Sequence, residues 1–199
     1  PADIQSTTIP EINLQLDVNL KGVVYGTKLC ADIMRNQHTS HSQHHQQQQN
    51  KGHIINISSM AAVATIPGLS IYAASKHGCR GFSLNAAKDL EKDGVAISCV
   101  LPDAVNTPML DLQLNTPHGA MAYSGDVLTL DDIENCIVND VLIRRPVECW
   151  LSSRAGAALL AGVVGHVRLA EWVGGWMLGE GRSRQKEIME MNKRQKGKK

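Results

Sequence analysis

The sequence has no Cys-x-x-Cys pair, no basic stretch followed by an apolar leader, no uncharged apolar run near twenty residues and no internal repeat. Each absence narrows the reading. There are five cysteines, Cys30, Cys79, Cys99, Cys136 and Cys149. Their odd number and unpaired spacing argue against a disulfide scaffold, and for reduced, mostly buried thiols in a reducing compartment such as the cytoplasm. No secretory signal is visible. The chain opens on Pro1 rather than Met, which leaves its true start, and any targeting signal before it, open. A bilayer-spanning helix needs roughly 20 apolar residues, so none is expected. The net charge of +1 does not suit a polyanion partner, and nucleic acid is not expected.

What is present fits one soluble globular domain. The chain has 199 residues, 43% hydrophobic and 20% charged, enough for a sizeable core. Its charge is uneven. Residues 182–199 hold eight Lys and Arg against Glu187 and Glu190. The plain expectation is a solvated, frayed tail. The sharper one is a membrane-surface contact, in which the Gly-rich apolar stretch 155–179 and the basic tail together meet anionic lipid. Residues 37–50, QHTSHSQHHQQQQN, are low in complexity and too polar to order themselves, so a disordered surface insertion is expected. Its four histidines have no Cys or carboxylate among them, and no metal site is expected.

Hydrophobic patterning predicts a helix from about Glu11 to Arg35, with Gly22 and Gly26 spaced to let it approach a neighbour closely. HIINIS (53–58) reads as a strand buried on both faces, as in a parallel sheet. A long helix follows from about Ser70 to Lys92, with Gly94 at the expected stop. VAISCVL (95–101) is a second buried strand, ended by Pro102. Strand, helix, strand is a βαβ unit. Residues 103–128 read as irregular. Thr129 and Asp132 resemble a helix cap with an acid in the first turn, opening a helix to about Leu142. VECWLS (147–152) suits a last strand.

The chemistry centres on Tyr72-Ala-Ala-Ser-Lys76. Residues four apart on a helix share a face. A phenol with a pKa of ~10 is a poor acid or base near neutrality. A fixed ammonium beside it favours the phenolate and lowers that value. A phenol so tuned can donate a proton to a carbonyl oxygen or accept one from an alcohol. Ser58 and Ser59 sit just past the first strand, and Pro102-Asp103-Ala104-Val105-Asn106-Thr107-Pro108 just past the second. Ligands of open parallel sheets bind at the carboxyl ends of the strands, so these groups converge on one lip.

Four segments, LDVNLKGVVYGTK, INISSMAA, YAASKHGCRGFS and VLPDAVNTPML, in this order and spacing resemble the short-chain dehydrogenase/reductase family. The resemblance covers about residues 14–110 and weakens over 130–152. It implies an oxidoreductase that interconverts a secondary alcohol and a ketone with NAD or NADP. Tyr72 would be the general acid/base. Ser59, thirteen residues earlier, would polarise the substrate oxygen, with Ser58 the lesser choice. Lys76 would lower the Tyr72 pKa and bind the nicotinamide ribose. Asn19 would anchor a water relaying protons to Lys76. Val105 and Thr107 would meet the nicotinamide carboxamide. Loop 108–128 would be the substrate lid. The substrate would be a small hydrophobic alcohol or ketone, and the assembly a homodimer or homotetramer built on the helices near 11–35 and 70–92.

Two departures stand out. Pro102-Asp103 replaces the family's Pro-Gly, at some cost if φ there must be positive. The Gly-rich strand–turn–helix that holds the cofactor's pyrophosphate is also missing, as is a later Asn-Ala-Gly stretch. By the family pattern about three βα units are absent, on the order of 90 residues at ~30 per unit. The fold expected is therefore α/β, the C-terminal part of a Rossmann-like doubly wound parallel sheet lacking its first βα units. Residues 1–152 would be the catalytic part and 153–199 an apolar, basic extension. The alternative is a truncated, inactive remnant unable to bind the cofactor.

Overall fold

The structure is a computed structural model. It describes residues 4–36, 51–152 apart from 65, 67, 115, 116 and 124, and 167–196. The insertion 37–50, with the readings of disorder and of its histidines, lies outside the described residues, as does 153–166.

The first helix starts where Thr8 caps it. The Thr8 N–H donates to Glu11 Oε2 at 2.7 Å and the Glu11 N–H donates back to Thr8 Oγ1 at 3.4 Å. This reciprocal pair satisfies two N–H groups that a helix start leaves free. Helix α1 (Ile9–Leu16) runs through a π-helical turn, Asp17–Lys21, into α2 (Gly22–Asn36). Strand β1 (Gly52–Ile57), helix α3 (Ser70–Glu91) and strand β2 (Val95–Pro102) follow. Gly94, at φ 74°, takes the left-handed turn that ends α3 and starts β2. Then come α4 (Pro108–Leu114) and a 3-10 segment Pro117–Tyr123. Helix α5 (Leu130–Cys136) continues through the π-helical turn Ile137–Val141 into α6 (Leu142–Arg144), before β3 (Glu148–Leu151) and α7 (Val167–Lys196).

The three strands form one parallel sheet in the order β1-β2-β3. Gly52 pairs with Val95 at one end of the first ladder and Ile57 with Val100 at the other. The second ladder runs from Cys99–Glu148 to Pro102–Leu151. Helices cover both faces. Glu148 of β3 is bonded to Arg80 of α3, while the next residue, Cys149, meets Cys136 of α5. Consecutive strand residues point to opposite faces, so α3 and α5 lie on opposite sides of the sheet. This is the α/β, doubly wound arrangement. The core between α2, α3 and the sheet joins Ala31, Ile54, Ala86, Ala87, Val95 and Ile97.

Three expectations change. A Cβ on Gly26 would meet nothing within 4 Å, so that glycine serves no close approach. The tight contact is at Gly78 of α3, where a Cβ would sit 2.9 Å from Leu20 of the π-helical turn. Residues 103–128 are not simply irregular, since α4 and the 3-10 segment give them a small apolar core of Leu110, Leu114 and Tyr123. Nor is the tail frayed over 182–196. Helix α7 lays Ile188 and Met189 against that core, and Gln185 donates to the Leu114 carbonyl at 2.6 Å. Burying these side chains outweighs the repulsion among the exposed cations of the same helix. Among the described residues no helix is long and apolar enough to cross a membrane.

Candidate active site

Strand β1 delivers Ser58 and Ser59 to the carboxyl edge of the sheet. Ser59 Oγ accepts from the Ala61 N–H at 3.1 Å and so caps a single 3-10 turn, Met60–Ala62. That turn buries Met60 and Ala62 with Cys99 and Leu101 of β2, which gives Ser59 a packed floor. The Ser58 hydroxyl donates to the Lys76 carbonyl at 3.0 Å and fastens β1 to the helix that bears the Tyr-Lys pair.

Tyr72 and Lys76 occupy one face of α3, half-buried, with Lys76 Nζ 5.7 Å from the centre of the Tyr72 ring. Lys76 Nζ donates to the Ile57 carbonyl at 3.1 Å, which draws the ammonium to the end of β1. Burial raises the Tyr72 phenol above its ordinary value, and the Ser59 hydroxyl beside it pulls in the opposite direction. Burial likewise depresses the Lys76 ammonium. Lowering of the phenol by Lys76, expected from the spacing, is thus not what the chain alone displays: the ammonium is held at a backbone carbonyl, and desolvation outweighs the rest.

Asn19 lies in the π-helical turn, a departure from α-geometry common at functional sites. Its Nδ2 donates to Ser75 Oγ at 3.2 Å, and Ser75 Oγ donates to the Tyr72 carbonyl at 2.7 Å. Asn19 is thereby connected to the Tyr72 backbone in two steps. A second chain runs deeper. Thr27 of α2 donates to Asn56 Oδ1 at 3.2 Å, Asn56 Nδ2 donates to Ser83 Oγ at 3.0 Å, and Ser83 donates to the Cys79 carbonyl at 2.8 Å. Ser75, Asn56 and Ser83 are buried and were not singled out by sequence, because a small polar residue in a motif carries no mark of burial.

Past β2, Val105 forms a parallel bridge with Leu128, the Asn106 N–H donates to the Leu128 carbonyl at 2.8 Å, and the Thr107 hydroxyl donates to the Val105 carbonyl at 3.3 Å. Both Val105 and Thr107 are partly exposed at the lip. Asp103 needs no strained backbone: Arg145 is the non-glycine residue with positive φ among those described. Its carboxylate instead accepts from the Ala104 N–H at 2.9 Å and from the Ser152 hydroxyl, joining the ends of β2 and β3.

Residues 1–117 match the short chain dehydrogenase family model. The chain belongs to that family. Among its relatives, a short-chain dehydrogenase of Aspergillus ruber is 35% identical over 134 residues, covering 66% of this chain and 49% of the relative. The 15-hydroxyprostaglandin dehydrogenase [NAD(+)] of Rattus norvegicus is 38% identical over 98 residues, 48% of this chain and 34% of that one. In fold, the chain resembles the acetoin dehydrogenase of Enterobacter cloacae with a TM-score of 0.59 at 19% identity, over 79% of this chain and 60% of the other. The chain spans about half the length of the curated relatives it matches.

Proposed function

We propose that this chain carries the proton-transfer half of an NAD(P)-dependent enzyme that interconverts a secondary alcohol and a ketone. The observation that supports this best is the convergence of Ser59, Tyr72 and Lys76 at the carboxyl ends of β1 and β2, with Asn19 hydrogen-bonded into the same helix.

The residues fit the nicotinamide end of the cofactor. Lys76 supplies an ammonium at the lip, suited to the ribose hydroxyls, and Val105 and Thr107 offer partly exposed groups past β2, suited to the carboxamide. No Gly-rich phosphate loop occurs in the 199 residues, so the fit extends to that end alone. When bound, the cofactor supplies the hydride at its nicotinamide C4. In the reductive direction Ser59 donates a hydrogen bond to the substrate carbonyl. Tyr72, kept protonated by burial, gives its proton to the same oxygen. In the oxidative direction a phenolate must accept that proton, and Lys76, released from the Ile57 carbonyl, stabilises it. Asn19, through Ser75, keeps the Tyr72 end of α3 in place.

The lid core of Leu110, Leu114 and Tyr123 favours a small hydrophobic substrate. Leu14, Val18, Tyr25, Leu29 and Ile33 form an exposed apolar stripe along α1 and α2, which supports a homodimer or homotetramer built on these helices and α3.

The test is Tyr72→Phe in the whole protein. Turnover of a hydrophobic secondary alcohol with NAD or NADP should fall by about 10²–10⁴, while fluorescence titration with NADH or NADPH shows cofactor binding preserved. A near-parental rate overturns the assignment of Tyr72. Failure of the parent protein to bind either nucleotide favours the inactive-remnant reading instead.

A further inference from the structure

The sheet holds a second cluster of reactive side chains, away from the lip. Cys136, at the end of α5, and Cys149, on β3, bring their sulfurs within 3.4 Å. Both are free thiols and both are partly exposed. The other three differ in placement: Cys79 and Cys99 are fully buried, and Cys30 is exposed on α2. A disulfide needs a sulfur separation near 2.05 Å, so this pair is reduced but already in van der Waals contact across two elements. Strand β3 ends the sheet order among the described residues, and Cys149 points to the α5 face, opposite the Arg80–Glu148 contact.

We infer that Cys136 and Cys149 form an oxidisable dithiol, closing to a disulfide by exchange with a low-molecular-weight disulfide such as oxidised glutathione. The exchange balances in two steps. A thiolate on one cysteine attacks a glutathione sulfur, forming a protein–glutathione bond and expelling one glutathione thiolate, which takes up the proton. The second cysteine, as thiolate, attacks the protein sulfur of that bond and expels the second glutathione. Two protein thiols are oxidised, and one glutathione disulfide is reduced to two glutathiones. Cys149 suits the second role. Burial first, and then the Cys136 thiol bonded to it, push its pKa up to about 12, which makes it the poorer first nucleophile. Capping Cys136 removes the second cause and leaves the first, so the contact of the two sulfurs carries the closing step. The product bolts α5 to β3. Helix α5 begins at the Thr129 cap, where the lid ends, and Trp150, next to Cys149, packs on the cluster that floors Ser59. Oxidation would therefore fix the downstream anchor of the lid to the strand beside the lip.

The experiment needs no enzymatic activity, so it stands or fails apart from the dehydrogenase reading. The whole native protein is incubated with oxidised glutathione near neutral pH, its remaining thiols are alkylated, and it is digested with trypsin. Cleavage after Arg144 separates the two cysteines. The tryptic peptide 93–144 carries Cys99 as well as Cys136, so a Cys136–Cys149 bond is read as that peptide joined to 145–154 with one alkyl group, on Cys99, the two parting on addition of dithiothreitol. Cys136→Ser and Cys149→Ser should each abolish the joined species. Alkylation of both cysteines, or glutathione adducts that never resolve into the joined species, would overturn the inference.

Discussion

Where α2, β1 and α3 meet, buried polar contacts run beside the apolar core of Ala31, Ile54, Ala86 and Ala87. Thr27, Asn56 and Ser83 bond in series, Ser58 fastens the Lys76 carbonyl, and Ser75 joins Asn19 to the Tyr72 carbonyl. On the lid side the contacts are apolar and reach between distant parts of the chain. Leu110, Leu114 and Tyr123 pack on Ile188 and Met189, and Arg184 donates to the Gly125 carbonyl at 2.7 Å. The first arrangement fixes atoms, because each buried polar group has one acceptable partner geometry and a large penalty for losing it. The second tolerates sliding, because an apolar contact is non-directional. The proposed proton-transfer group would draw on the first kind of support, and the proposed substrate lid on the second.

Asn56→Leu attacks the difference most directly. The substitution keeps the branched shape, in a larger side chain, but leaves the buried Thr27 hydroxyl without its acceptor and Ser83 without its donor. Stability should drop by about 2–4 kcal/mol, read as a lower urea midpoint at unchanged slope. A neutral result would mean that apolar packing, not the polar series, holds the catalytic side. On the lid side, Ile188→Ala removes part of a small core. Ile188 is only partly buried, so its cost should appear locally at or below the low end, about 2 kcal/mol, of a fully buried Ile→Ala change, or roughly tenfold faster amide exchange for each 1.4 kcal/mol. The acceleration should be confined to 108–123 and α7, with β1 and β2 unchanged. Acceleration that spread equally to β1 and β2 would erase the distinction between the regions. Arg184→Met should do less. Its ion pair with Asp126, at 3.5 Å, is largely exposed and worth little, and one bond to a carbonyl nets about 1 kcal/mol. Lid exchange should rise roughly threefold to fivefold. No change would assign the lid contact to Ile188 and Met189 alone.

The two regions also differ in how far they can be read from sequence. On the catalytic side the punctuation is local. Gly52 opens β1, Gly94 turns α3 into β2, and Pro102 ends β2, so the βαβ unit and the Tyr72/Lys76 face follow from spacing. The same side hides what depends on neighbours: Gly26 and Gly78 look alike in a helix, yet Gly78 alone of the two faces a packed side chain. On the lid side little is local. Ile188 and Met189 meet Leu110 and Leu114 across some seventy residues of chain, and each partner sits in a run too short or too charged to show its apolar face. A basic stretch reads as solvated unless the surface it covers is known.

The smallest effect compares the regions with chemistry they share. Glu11 closes the cap of α1 and Asp132 that of α5, each through its own threonine. Glu11 is held below its ordinary value by the backbone N–H of Thr8 and then its hydroxyl. Asp132 is held low by the hydroxyl of Thr129 and then its N–H. A carboxylate whose folded pKa lies below its unfolded one contributes stability that is fully present above the unfolded value. That contribution is lost as pH falls through the folded value. Both caps should therefore be intact at pH 7 and should weaken below pH of about 4. Glu11→Gln and Asp132→Asn should each lower the unfolding midpoint slightly at pH 7, and each difference from the parent should shrink on acidification. A difference that grew instead would reverse the sign of the linkage. Exchange rates at pH 7 then separate the regions: Glu11→Gln should fray the first turn of α1 and leave the lid alone, whereas Asp132→Asn should loosen α5 together with the Val105–Leu128 bridge. If Asp132→Asn left that bridge untouched, the lid would be anchored by α7 rather than by the helix that follows it.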